Sequence, residues 1–527
     1  MSSESESKVY LFSVKSGDLD RRDWDSANPQ DLRPSINEII DVFIPTRIPA
    51  EYNKCPVEIC LCFGGEVKEE VRSNVSMFLG RLKNDDLSFS EWNGDRLADL
   101  IEQHMLREEL LPKNCRGLLR KSLAMIDEPE VSFKHFSQLA ISLTSTDGKK
   151  PKDILTGIRQ LYLCLWILYS WCRDEDNLES AFLSAEFTML NAWEAAKFTF
   201  GKKNKVAVST LTTLDSILRL NLQVSNQYID DKIIPHCNNL YAISHAVNPS
   251  CATDVNLKLF DVLGRLALTG CWSYWYLGQV NDENVEAGKF FSEAVTKYQD
   301  SIKQLIVNNP ILFTPYKDEQ AIDLVLALWF LSLEHKHWCD INSWLSNMSR
   351  EIYQMFKIGD KYPTTIRSYA ELIEHPVDKT DDYKKSVTKG SILYPYISAF
   401  SAIMGFSEPY EIVKKIKEEF LPHCNFQVYF LDESSEDHFY RFDKMHGATL
   451  SDVCVTEEPD ELIKQLVSEC DQSNKVYDMT AFQYSFWPII LTGCRHYRLP
   501  VPMHFIIDIF KQRKEHEATS GEEAEES

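Results

Sequence analysis

Over the first hundred residues the apolar positions fall into three compact runs, separated by longer stretches with helical spacing. The run VYLFSVK, residues 9–15, is apolar on both parities and predicts a buried strand ending at Lys15, beside a Gly-containing turn. Gln30 to Phe43 then places Ile36, Ile39, Ile40 and Phe43 on one helical face, with Pro34 near its start and IPTRIP ending it. After Pro56, VEICLCF reads as a second buried strand, stopped by Gly64 and Gly65. EVKEEVRSNVSMFLGRL follows as an amphipathic helix with acids in its first turn, where the helix dipole favours them. Leu87 to Trp92 alternates apolar and polar residues and predicts a third strand, with a further helix after Asn93-Gly94-Asp95. Strand, helix, strand, helix, strand predicts a small α/β domain with a three-stranded, mostly parallel sheet.

From about Arg107 the period changes to that of helices almost throughout. Breaks fall at Glu128-Pro129, Gly201 to Asn204, Asn248 to Ser250, Asn309-Pro310, Tyr362-Pro363 and Glu408-Pro409. No fixed repeat length emerges, so an irregular helical array is expected rather than a consensus solenoid. Phe426 to Leu431 and Phe439 to Phe442 read as short strands. The expected organisation is a disordered 1–7, an α/β domain over 8–106, a helical connector over 107–150, a helical array over 151–425, a mixed and mainly helical region over 426–513, and a disordered acidic tail over 514–527. The hinge TSTDGKKPKD places a boundary near 145–155.

Composition narrows the function classes. At 527 residues the chain is long enough for several domains, and 19 glycines with no GxGxxG or GxxxxGK[ST] pattern weigh against a glycine-rich phosphate loop. A formal charge of -23 disfavours nucleic-acid binding, which draws on Lys and Arg. The 14 cysteines are scattered without CxxC, and MSSESESK lacks the basic and apolar parts of a signal peptide, so a cytoplasmic protein is expected. Cys60 and Cys62 alternate inside an apolar strand and read as buried small hydrophobes. The most apolar run, Leu161 to Cys172, lies between Arg159 and Arg173 and is too short for a bilayer, so no membrane segment is expected.

Candidate chemistry is sparse. His335 and His337 lie two apart in EHKHWC, a spacing that does not share a helix face and so does not favour one shared metal ion. Trp272, Tyr274, Trp275 and Tyr276 crowd one stretch, a pattern of interior packing more than of a stacking platform. Asp18, Asp20 and Asp23 read as a solvated turn. Lys15 is the unusual residue, because an ammonium at the end of a buried strand must be paired or sit at an open edge.

Taken in order, VYLFSVKSGDL, the Asp-Trp of RRDW, QDLRPSINEII, VEICLCFGG and WNGDRLADLI resemble the latter half of restriction-endonuclease-like, PD-(D/E)xK-type domains. They are similar in particular to those at the amino termini of large bacterial multidomain proteins, many associated with antiphage defence. The resemblance covers about residues 8–105. It implies a nuclease in which an Asp on one strand, and a Glu or Asp two residues before a Lys on the next, hold Mg²⁺ and activate water. Carried across, Lys15 matches the motif lysine, and Ser13 stands where the acidic ligand belongs. The strand carrying the preceding Asp has no counterpart. Branches of the family that relocate a ligand to the following helix would make Glu38, or less readily Gln30, the substitute.

A hydroxyl in place of a carboxylate argues for a degenerate nuclease-like domain. The expected function is a non-catalytic interaction or sensor component with a helical partner-binding region, and with self-association or a protein partner at the Lys8 to Lys15 edge. The alternative is a Mg²⁺-dependent nuclease whose missing Asp strand comes from an upstream segment or a partner chain. A helical nucleic-acid-binding module is disfavoured by the acidity.

Overall fold

The computed structural model describes residues 8–15, 19–26, 28–53, 55–63, 67–92, 111–247, 250–281, 284–432, 435–441, 449–455 and 458–511. The helix expected after Asn93 and both chain termini lie outside these residues. The chain divides into two compact units, Met1–Arg116 and Gly117–Ser527.

In the first unit the strands β1 (Val9–Lys15), β2 (Val57–Phe63) and β3 (Leu87–Trp92) form one sheet in the order β1-β2-β3, parallel throughout. Between them run α1 (Arg21–Asp25), α2 (Leu32–Glu38), a π-helical turn over Ile39–Phe43, α3 (Ile44–Arg47) and α4 (Glu69–Leu82). In a 1-2-3 parallel order, right-handed crossovers put both connecting helices on one face. The core agrees. Ile59, Leu61 and Phe63 of β2 and Leu87 of β3 pack with Leu32 and Ile36 of α2 and Val71 and Val75 of α4, with Val9 and Leu11 of β1 at its margin. Strand residues of the other parity, including Tyr10, Phe12, Cys60, Cys62 and Trp92, lie on the opposite face. There Phe12 meets Trp92 edge-on at 5.2 Å, and Lys8 pairs with Glu58 at 2.5 Å.

The second unit is mainly helical. Its breaks sit where the sequence places Pro and Asn: Pro129 opens the Pro129–Thr144 helix, Asn308 ends Val285–Asn308, and Pro409 lies in the first turn of Ser407–Glu419. The hinge expected near 145–155 is a short turn inside this unit, between the helices Pro129–Thr144 and Pro151–Asp174. The latter contains Leu161 to Cys172, and no helix among the described residues is long and apolar enough to cross a membrane. Two helices lie at the centre. Glu179–Ala196 is buried almost all round, and Ala252–Gln279 packs against Val285–Asn308, Ala321–Ser332 and Lys205–Lys232.

A second small sheet joins β4 (Gly390–Ser391), β5 (Asn425–Phe430) and β6 (Thr449–Asp452), with β4 and β5 parallel and β5 and β6 antiparallel. The strand expected at Phe426 is β5. The one expected at Phe439 is not a strand: Phe439 and Tyr440 follow the Ser435–His438 turn of helix and are fully buried, so their apolar character serves packing.

Candidate functional site

Lys15 leaves the sheet at the end of β1 and donates from its ammonium to the carbonyl oxygen of Gln30. Ser13, two residues earlier, is buried on the helix-facing side of β1, opposite Leu61. Gln30 contributes that backbone oxygen, while its own N–H donates to Asn28 Oδ1 at 3.1 Å and its side chain is exposed. Glu38 is the last residue of α2 and is exposed, because the helix turns Leu32 and Ile36 inward instead. Asp20 caps α1, accepting from the N–H groups of Arg22 and Asp23, and Asp18 lies outside the described residues.

The carboxylate near Lys15 that sequence reasoning missed is Asp31. It is 6 % exposed, and Oδ2 accepts from Ser26 N at 2.5 Å, Ser26 Oγ at 3.0 Å and Asn28 N at 3.1 Å. Burial pushes its pKa up, but the N–H groups of Ser26 and Asn28, the Ser26 hydroxyl and the charge of Lys15 outweigh burial and hold it below the usual value. Oδ2 is thus committed to organising the 26–31 turn. Among the described residues no three His, Cys, Asp or Glu side chains converge in a way that could hold a metal ion. For Mg²⁺ beside Lys15, Asp31 would offer Oδ1 as its one oxygen not held by the turn, and Ser13 only a neutral hydroxyl, fewer anionic oxygens than the ion ordinarily draws on.

No protein family, curated protein or solved structure matches this chain. The remaining candidates are therefore read from geometry alone.

His335 packs its ring against Trp338 at 3.9 Å, whereas His337 is fully buried with Nε2 against Gln299 Oε1 at 3.2 Å, so the two rings serve different neighbours. Trp272 donates from Nε1 to Thr492 Oγ1 at 3.1 Å, Trp275 donates to Ser485 O at 2.5 Å, and Tyr276 stacks on Phe291 at 5.3 Å. These aromatics lie between helices. The thiols are poor nucleophiles where buried: burial pushes Cys172, Cys237, Cys424 and Cys470 up to about 12.

The densest charged site lies in the helical unit, where four acids meet four bases. Arg265 Nη2 contacts Glu179 Oε1 at 2.5 Å and Asp261 Oδ2 at 2.8 Å, and Lys258 approaches the same two carboxylates at 3.3 and 3.4 Å. Tyr228 donates to Glu179 Oε2 at 2.7 Å. From Asp261 the chain continues inward: Arg495 donates to Asp261 Oδ1 at 2.5 Å and, through Nη1, to both oxygens of Glu186 at 2.9 and 3.1 Å. Arg498 closes it, donating to Asp323 at 3.1 and 2.7 Å.

Arg498 holds the left-handed conformation, φ 54°, that ends the Pro488–Tyr497 helix, a state costing an L residue roughly 1–2 kcal/mol. Asp323 reaches the cluster because residue 264 is glycine: a Cβ there would stand 2.0 Å from Asp323 Oδ1. Burial pushes the Glu179 carboxyl up, but Arg265 and Lys258, with hydrogen bonds from Arg265 and Tyr228, hold it down at about 2. Burial likewise opposes ionisation of Glu186 and Asp261, and the neighbouring guanidinium groups overcome it at both. Arg265 also lies over the rings of Phe182 and Tyr228, at 4.7 and 5.2 Å.

Charge for charge the cluster balances: Glu179, Asp261 and Asp323 each face more than one cation, and Glu186 faces Arg495 with His496 beside it. Such a set clamps helices together, although burial still holds the Asp323 carboxyl above its usual value against the pull of Arg498 and Arg495. Its outer end opens on a surface cleft of about 800 Å³, lined by Glu128, Glu130, Glu179, Lys258 and Asp261 among others. The sequence signal for the cluster was single charges inside apolar helices: Glu186 in SAEFTML, Arg265 in VLGRLAL and Asp323 in AIDLVLAL.

Proposed function

We propose that the chain is a non-catalytic interaction component, in which the small α/β unit is a degenerate nuclease-like domain and the helical unit presents a partner-binding scaffold. The observation that carries this reading is the state of Asp31. The buried carboxylate beside Lys15 uses one oxygen, Oδ2, to accept from Ser26 and Asn28, and so organises the turn that precedes α2. Lys15 is matched by a peptide carbonyl, and among the described residues no three His, Cys, Asp or Glu side chains gather into a metal site. The relation to bacterial defence nucleases, and a cytoplasmic setting, rest on the sequence resemblance and composition alone.

A second reading has one observation in its favour. Among the described residues β1 is an edge strand paired only with β2, so another chain could add a strand carrying an Asp and complete a Mg²⁺-dependent nuclease.

One experiment separates the two. The purified chain is incubated with duplex and single-stranded DNA and with RNA, in Mg²⁺ and in Mn²⁺. The proposal expects no cleavage; cleavage abolished by Lys15→Ala would overturn it. Binding to nucleic acid should also be absent, given the charge of -23.

A further inference from the structure

We infer that the partner at the β1 edge is a second copy of this chain, joined antiparallel through Val9–Lys15 about a two-fold axis at Phe12. The inference deepens the interaction reading above, and rests on it, by naming one partner.

The backbone sets the register. Val9 N donates to Pro56 O at 2.9 Å, so the peptide groups of Val9 face β2, and in a parallel ladder those of Leu11, Ser13 and Lys15 do the same. The N–H and C=O groups of Tyr10, Phe12 and Val14 therefore point to the open edge, where no described residue pairs with them. Antiparallel pairing on Phe12 sets Tyr10 opposite the second copy's Val14, Phe12 opposite Phe12, and Val14 opposite Tyr10. All are positions with outward peptide groups, and together they form about six hydrogen bonds. Because directly opposite residues share a face, the side chains of these three residues would gather on the sheet face away from the helices. They stand there 50, 54 and 73 % exposed. On the other face Leu11 meets Ser13, and Val9 meets Lys15.

Charge permits this register. Lys8 and Lys15 lie at opposite ends and on opposite faces of the strand, and Lys8 is already paired with Glu58, so no like charges face each other. The strand also lacks what edges use to avoid pairing, since no charge, proline or bulge interrupts Val9 to Val14. The opposite edge is different: β3 carries Ser88, Ser90 and an exposed Glu91.

Sedimentation of the full chain over about 0.5 to 100 µM, a range suited to a small interface, tests this. A monomer–dimer equilibrium is expected. Phe12→Pro removes an N–H that points away from β2, so it should leave the sheet intact while shifting dissociation at least about tenfold. Val14→Lys, at the most exposed of the three positions, should do the same without touching the core. Circular dichroism checks that both variants fold. As a register test, a short bis-maleimide should join two copies of Phe12→Cys far faster than two copies of the parent chain. A monomer at every concentration would overturn the inference, as would a dimer indifferent to both substitutions. Either failure, with cleavage still absent, leaves the interaction reading standing; cleavage by a dimer would overturn that reading and leave the dimer.

Discussion

Replacing Glu186 by Gln probes the charge cluster at one of its two most buried acids. Glu186 accepts from Arg495 Nη1 through both oxygens, and His496 Nδ1 lies 3.5 Å away. The amide keeps the shape and one acceptor but removes the charge, leaving Arg495 with Asp261 at 2.5 Å and Asp323 at 3.9 Å. Stranding one partner of a buried pair costs about 3–5 kcal/mol. Because Asp261 remains, the lower end applies, about 3 kcal/mol. Arg495→Met should cost at least as much, since it leaves Glu186 facing only His496. Glu186→Leu combined with Arg495→Met should cost less than the sum of those two single changes by about 2 kcal/mol, the coupling of a close pair. The reference is the surface pair Arg350–Glu408, whose side chains are 52 and 48 % exposed; there Arg350→Ala should cost under about 1 kcal/mol. Urea unfolding followed by tryptophan emission reads the correct unit, because nine of the 11 tryptophans lie beyond Arg116. If Glu186→Gln costs no more than Arg350→Ala, and the cycle shows no coupling, the cluster does not clamp the helices and the reasoning fails.

Gly264→Ala should destabilise the helical unit by about 1–3 kcal/mol, because its Cβ would stand 2.0 Å from Asp323 Oδ1 and the carboxylate must move. Gly278→Ala, on the same helix with open space around it, should be neutral or stabilising by up to about 1 kcal/mol; equal effects in a melting comparison would refute the packing argument. His375 is buried between the Tyr383 hydroxyl at Nδ1 and the Tyr362 carbonyl at Nε2, and burial, with a smaller repulsion from Lys361, brings its pKa down to about 4. The unfolded chain takes up the proton first. The native contribution is therefore complete above pH 6.5 and fades as pH falls from 6.5 to about 4, by up to about 3 kcal/mol. Stability of the parent against His375→Gln over that window should converge toward acid; a constant difference would contradict it.

The local pattern of the chain was readable because it is set by neighbours in sequence. Continuous apolar runs located β1 and β2 and alternation located β3, although β1 is buried on one face only, with Tyr10, Phe12 and Val14 exposed; Pro129, Asn309 and Pro409 marked helix ends that the backbone obeys. Where the sequence was silent, the decisive contacts are tertiary. Arg495 and Glu186 are 309 residues apart, and no spacing rule pairs them. Asp31 carried no signal within QDLRPSINEII, and only the fold of the 26–31 turn brings Ser26 and Asn28 to its Oδ2. Glu38 was a plausible substitute by order along the chain, yet the side of α2 that meets the sheet is set by Leu32 and Ile36. Phe439 and Tyr440 had the composition of a strand, but burial against helices satisfies that composition equally well.

The central claim is that the Lys15 end of the first sheet holds no catalytic cation. Titration of Mn²⁺ into the full chain, with the free ion followed by electron paramagnetic resonance, tests it most directly. The parent, Lys15→Ala and Asp31→Asn should all give the same free-ion signal. A stoichiometric site in the parent that disappears in Asp31→Asn would contradict it.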